Sequence, residues 1–231
     1  MPIRSGPLRG QWIGLFCGMR FIRGRYDRSA VQQFVRLIPR DATVYDIGAH
    51  VGYLTMLAAQ QVGPQGTVVA IEPLALNLKY LRAHLRANRI ANVNVLAACV
   101  AETAGFADFD HGKGTGRGRL GTLGHGAMKV VSLDDEIDSG RIPPPHFIKM
   151  DVEGAELLAL RGALRCLALH RPTVLLSVHS TRLRVDCGAL LRTLDYRIES
   201  GSKPGEMLAY GDAPVATTPP GVPLAAAINL A

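Results

Sequence analysis

Aromatic side chains are scarce in this chain, at 6% with a single tryptophan, and charged residues make up only 19%. A groove for single-stranded nucleic acid needs aromatics interleaved with basic residues, and no such run is present. Cysteine is sparse too. Cys17, Cys99, Cys166 and Cys187 stand far apart with no C-x-x-C pair, so neither a zinc cage nor a disulfide framework is expected. Reduced thiols, and with them a cytoplasmic setting, are the simplest expectation. No apolar run approaches the ~20 residues a membrane-crossing helix requires, and the basic start lacks the small-residue cleavage site of a signal peptide. No membrane partner is therefore expected.

The 231 residues carry a net charge of +7, with Arg20, Arg23, Arg25 and Arg28 close together near the start. Arginine is abundant along the whole chain, so the charge reads as compositional bias, and a nucleic-acid partner is not called for. The length suits one domain with a short appendage. Residues 1–40 read as an N-terminal lead-in and a covering helix at 28–38, with Val31, Phe34, Val35 and Ile38 on one side. Residues 41–212 read as the main domain, and the proline-rich stretch 213–231 as a loosely ordered tail.

Within 41–212, β-branched runs alternate with helical patterns: "TVYDI", 52–61, "TVVAIE", 74–88, "NVNVLAA", "HFIKMD", about 153–168, "TVLLSV" and 182–193. That alternation predicts an α/β fold with parallel strands and crossover helices. "YRIES" and "EMLAY", joined by "GSKPG", predict a closing antiparallel hairpin. The stretch 110–126 is too glycine-rich for a stable helix or strand and reads as a loop, either a plain surface connection or a lid.

The chemistry concentrates in "VYDIGAHVGYLT", where Asp46 ends a strand and leads into Gly48 and Gly52. The glycine spacing matches neither G-x-G-x-x-G nor a phosphate loop. An ionised Asp46 would repel a pyrophosphate and attract an ammonium or sulfonium. S-adenosylmethionine carries both cations and no phosphate. Glu72, ending "VVAIEP" just before Pro73, stands where a carboxylate could accept hydrogen bonds from both vicinal hydroxyls of a ribose. Ala98, Cys99 and Val100 follow the third strand, placed either to sandwich an adenine or to fill core. The cofactor-binding set is then Asp46, Gly48, His50, Gly52, Tyr53, Glu72, Pro73, Ala98, Cys99 and Asp151, although His50 reads equally well as a helix-start residue.

"DIGAHVGYLT", "AIEP", "SLDD" and "FIKMDVEGAE", in that order, resemble the FkbM family of class I S-adenosylmethionine-dependent methyltransferases over roughly residues 28–212. The resemblance implies a doubly wound, mostly parallel seven-stranded sheet with helices on both faces and an antiparallel last strand. It also implies O-methylation of a hydroxyl on a sugar, polyketide or other secondary metabolite, with S-adenosylhomocysteine as the cofactor product.

At the carboxyl end of the fourth strand, Asp151 would face the same crevice as Asp46, to hold the methionine amino group or orient the acceptor. Lys149, two residues earlier on the same face, is expected to pair with it. Glu153 and Glu156 read as acids favoured at a helix start. His179, after the fifth strand, is the candidate base, which makes His179 and Asp151 the catalytic pair. Where FkbM relatives commonly carry an acid two residues before this histidine, the chain has Ser177, which argues against a metal site or acid-supported base built on that pair. No metal site is expected, although a divalent metal would be compatible with the chemistry. The partner is a small-molecule hydroxyl acceptor, and a homodimer is compatible with this reading. The rivals are an RNA or protein methyltransferase and a non-catalytic cofactor-binding partner protein.

Overall fold

The computed structural model describes residues 1–17, 22–23, 28–110, 119–120 and 127–211. The tail and most of the glycine-rich loop lie outside the described residues. In chain order the elements are α1 (Arg28–Leu37), β1 (Thr43–Ile47), α2 (Tyr53–Val62), β2 (Thr67–Ile71), α3 (Ala75–Ala87), β3 (Val93–Leu96) and β4 (Cys99–Val100). There follow β5 (Gly105–Asp110), β6 (Arg119–Leu120), β7 (Ala127–Val131), α4 (Leu133–Asp138) and β8 (Phe147–Met150). The last are α5 (Glu156–Arg161), α6 (Leu164–His170), β9 (Thr173–Ser177), α7 (Thr181–Thr193), β10 (Arg197–Ser200) and β11 (Glu206–Tyr210).

The main sheet has seven strands in the order β10-β11-β9-β8-β1-β2-β3. Its central strands pair in parallel, and β11 runs antiparallel to both β9 and β10. Strands β1, β2 and β8 are almost wholly buried and mostly apolar because helices cover both faces, with the charged Asp46 and Lys149 the exceptions in β1 and β8. One core lies on each side: Val44, Met56, Val68 and Phe147 on one, and Tyr45, Ile47, Ile148 and Leu160 on the other. The chain order reverses between β1 and β8, where a doubly wound sheet opens a crevice at its carboxyl edge.

Three features depart from the sequence reading. The pattern over about 153–168 forms two helices, interrupted at Gly162. A Cβ there would stand 2.0 Å from the carbonyl oxygen of Ala101, and the Gly162 carbonyl accepts bonds from the Asp134 N–H and the Ser132 hydroxyl. The chain closes over that point, and Asp134 caps α6 by accepting from the N–H groups of Arg165 and Cys166. Next, β4, β5, β6 and β7 form a separate four-stranded sheet. Finally, residues 1–17 pack closely. Ile3, Leu8 and Ile13 are buried, and the Gly14 N–H donates to His84 Nε2 at 2.9 Å. That leaves His84 Nδ1–H to donate to the Val51 carbonyl at 2.8 Å, so the lead-in reaches the β1–α2 turn through one imidazole.

Candidate active site

The turn from β1 into α2 needs a left-handed backbone at Gly48 (φ 75°), His50 (φ 51°) and Gly52 (φ 89°). A Cβ on Gly48 would stand 1.9 Å from the carbonyl oxygen of Asp151, and one on Gly52 2.3 Å from Leu81 Cδ1. The close approach at Gly48 is thus to the chain's own backbone. The N–H groups of Gly48 and Ala49 both donate to the Ile71 carbonyl, at 2.9 and 3.1 Å, and that of His50 to Glu72 Oε2 at 2.8 Å. With three successive amides committed to β2 and its end, the turn does not form the open row of donors that cradles a pyrophosphate.

Asp46 lies beneath this turn, fully buried. Its Oδ2 accepts from the Thr55 hydroxyl at 2.6 Å, and Lys149 Nζ sits 3.1 Å from Oδ1. Asp46 and Lys149 are register partners on β1 and β8, which is why Lys149 meets Asp46, where the sequence reading had paired it with Asp151. Lys149 also donates to the Gly48 carbonyl at 2.8 Å. The cation that Asp46 faces is therefore the protein's own, and the pair braces the turn from below. Two charges this deep are retained only when each satisfies the other.

Glu72, buried at the end of β2, accepts from the His50 N–H, the Leu74 N–H at 2.9 Å and Asn77 Nδ2 at 3.1 Å. Burial pushes its carboxyl pKa up, against the lowering effect of these bonds. A carboxylate offers about four lone-pair sites, so one acceptor position is left where the sequence reading wanted two. Tyr53 heads α2 and is buried, and Pro73 is half-buried. Ala98 and Val100 join the core with Val131 and Leu133, while Cys99 packs with Leu74 and Val130. Burial pushes the Cys99 thiol up to about 12, so it serves as a small apolar side chain.

Beyond β8 and β9, Asp151, Glu153 and His179 come together. His179 Nε2 lies 3.4 Å from Asp151 Oδ1 and 3.5 Å from Glu153 Oε2, while Nδ1 lies 2.7 Å from Glu156 Oε1. Glu156, which the sequence presented as a helix-start acid, is fully buried, and the same oxygen accepts the Gly154 N–H at 2.9 Å. The acid missing at Ser177 is thus supplied from the start of α5. The Glu156 bond raises the His179 pKa to about 8, with burial opposing and the charges of Glu156, Asp151 and Glu153 adding. Burial would raise the Glu156 carboxyl, but the bonds from His179 and Gly154 outweigh it and the net direction is down. Asp151, Glu153 and His179 also each offer one ligand atom, all within 4.8 Å of one another, a spacing compatible with a divalent ion.

Of the residues expected at the site, the fold gathers Asp46, Gly48, His50, Gly52, Glu72 and Asp151 around one turn and adds His179 beside Asp151. Lys149, Thr55, Asn77 and Glu156 were not foreseen in these roles. Lys149 and Glu156 meet partners on segments distant in the chain, while Thr55 and Asn77 reach back across a turn to Asp46 and Glu72. All four cysteines are free, with Cys99, Cys166 and Cys187 buried. No helix among the described residues is long and apolar enough to cross a membrane.

A doubly wound sheet in this order, with a glycine turn after β1 and an acid ending β2, defines the architecture of S-adenosylmethionine-dependent methyltransferases. The methyltransferase FkbM domain matches residues 46–208, and the chain belongs to that family, with S-adenosylmethionine as its cofactor. The hexuronic acid methyltransferase AglP of Haloferax volcanii is 24% identical over 152 residues, covering 64% of this chain and 60% of the relative. The chain thus spans less than two thirds of that relative's length. A crystal structure of an FkbM methyltransferase from Methylobacillus flagellatus superposes with TM-score 0.58 at 21% identity, covering 78% of this chain and 50% of the other. A precorrin-6y C5,15-methyltransferase from Geobacter metallireducens gives 0.51 at 13% identity, covering 86% and 91%.

Proposed function

We propose that the protein is an O-methyltransferase acting on a hydroxyl of a small molecule, with a sugar as the favoured acceptor class. The observation that carries this reading is the buried Glu156 holding His179 Nδ1, so that Nε2 faces the carboxyl edge beside Asp151. The hexuronic acid methyltransferase relative supports a sugar acceptor. When bound, S-adenosylmethionine supplies an electrophilic methyl group on a sulfonium, which departs as a neutral thioether. The braced Gly48–Gly52 turn and the remaining lone pair of Glu72 fit its nucleoside part. Asp151 orients the acceptor hydroxyl, and His179 Nε2 takes its proton as the oxygen–carbon bond forms. In-line displacement asks little more than alignment and one proton acceptor.

The test is methyl transfer from S-adenosylmethionine to a panel of hydroxylated sugars, followed by mass spectrometry. His179→Gln should lower kcat about a hundredfold or more while leaving S-adenosylhomocysteine binding intact. Full activity in that variant would reject the base. A second reading rests on the convergent Asp151, Glu153 and His179 atoms. Under it they hold a divalent ion and His179 is a ligand, not the base. Loss of activity on chelation, restored by magnesium or manganese, would favour that reading over the first.

A further inference from the structure

A cavity of about 600 Å³ opens directly beside His179, between the start of α7 and the β10–β11 turn. Its walls include Ser180, Thr181, Arg184, Ser200, Ser202 and Lys203. That volume suits a small ligand. The turn is held against the end of β9 by the Val178 N–H donating to the Gly205 carbonyl at 2.9 Å, so the cavity is built by two anchored segments.

Arg184 marks its chemistry. The side chain is held by Nη1 donating to the Glu206 carbonyl at 3.1 Å, and Nη2 lies 3.5 Å from Ser200 Oγ. Among the described residues it pairs with no carboxylate. The nearby acid, Glu206, is buried and turned into its own hairpin, accepting from the Ser202 hydroxyl and the Lys203 N–H, with Lys203 Nζ 3.9 Å away. A half-buried guanidinium fixed in place, with N–H donors to spare, is a ready partner for an oxyanion. The amino end of α7, capped by Ser180, adds positive potential at the same wall.

We infer that this cavity is the acceptor subsite and that it selects a hydroxylated molecule bearing an oxyanion, carboxylate or phosphate, which Arg184 pairs. The inference rests on the O-methyltransferase reading for its purpose, since the subsite shares His179 with the proposed base. Its selectivity follows chiefly from Arg184 and does not depend on that reading. An oxyanion on Arg184 fixes one end of the acceptor and leaves a ring hydroxyl to reach His179. A neutral sugar gains no such anchor and leaves the guanidinium unpaired.

The probes are D-glucuronate, D-glucose 6-phosphate and D-glucose, with dissociation constants taken from NMR titration of the full chain with and without S-adenosylhomocysteine. At least one anion should bind ten or more times more tightly than glucose, and which one does so identifies the oxyanion. Arg184→Met should abolish that preference while keeping the wild-type affinity for S-adenosylhomocysteine. Equal binding of all three probes, no saturable binding of either anion, or a preference that survives in Arg184→Met would overturn the inference. Failure of S-adenosylhomocysteine to bind would count against the proposed function, because the anion preference is also read in its absence.

Discussion

Replacing Glu156 with glutamine keeps the shape of the side chain and removes the charge that holds His179. In the native protein the Glu156 bond is the largest influence raising His179 to about 8 from its ordinary 6.5. That difference of about 1.5 corresponds to roughly 2 kcal/mol at 1.36 kcal/mol per unit. The ring is 35% exposed, so solvent screening reduces its worth to stability to about 1 kcal/mol. A histidine whose pKa is raised on folding contributes stability that is complete below about 6.5 and lost as pH rises through about 8. Wild type should therefore lose about 1 kcal/mol between those values, and Glu156→Gln should show a flatter profile there. The direct assay is NMR titration of the His179 imidazole, with a midpoint near 8 in wild type that moves down toward 6.5 in the variant. In kcat/KM, a base must be neutral to act. Activity should thus rise with pH through about 8 in wild type, while in Glu156→Gln the rise moves to lower pH and the plateau falls about tenfold or more. A midpoint that stays near 8 in Glu156→Gln would refute the argument.

Lys149→Met strands the buried Asp46 carboxylate and should cost about 3–5 kcal/mol in chemical denaturation. Adding Asp46→Asn should recover part of that, and additive losses would dismiss the coupled pair. Gly48→Ala forces a methyl into the Asp151 carbonyl at a left-handed position, so a loss of about 2–4 kcal/mol and of methyl transfer is expected; wild-type thermal stability would show that the turn can move. Glu72→Ala removes the anchor of the His50 and Leu74 amides together with the proposed ribose contact, and should weaken S-adenosylhomocysteine at least tenfold by calorimetry. Unchanged affinity would withdraw Glu72 from the cofactor site.

The periodic elements were legible because burial imposes them locally. Strands β1, β2 and β8 are covered on both faces and so read as mostly apolar runs, broken by Asp46 in β1 and Lys149 in β8. Gly48 and Gly52 announced a turn with positive φ. The break at Gly162 was illegible because its cause, the Ala101 carbonyl, lies some sixty residues away in the chain. The packing of Ile3, Leu8 and Ile13 was hidden for the same reason, since no periodicity marks an irregular segment. In the site, Glu156 carried the surface signature of a helix-start acid, and only the distance to His179 reassigned it.

By itself the sequence determined the alternation of strands and helices, the glycine turn and the acids at the ends of β2 and β8. The kind of cofactor followed from the family resemblance these motifs carry, since the Asp46 charge that argued for a cationic ligand is met by Lys149. Each motif is written into residues close together in the chain, where propensity and patterning act. The tertiary structure alone decided which charges meet: Lys149 with Asp46 and not Asp151, Glu156 with His179, and Arg184 with no acid among the described residues. Electrostatic partnership depends on separations of a few ångströms between elements distant in sequence, and those separations exist only once the sheet has closed.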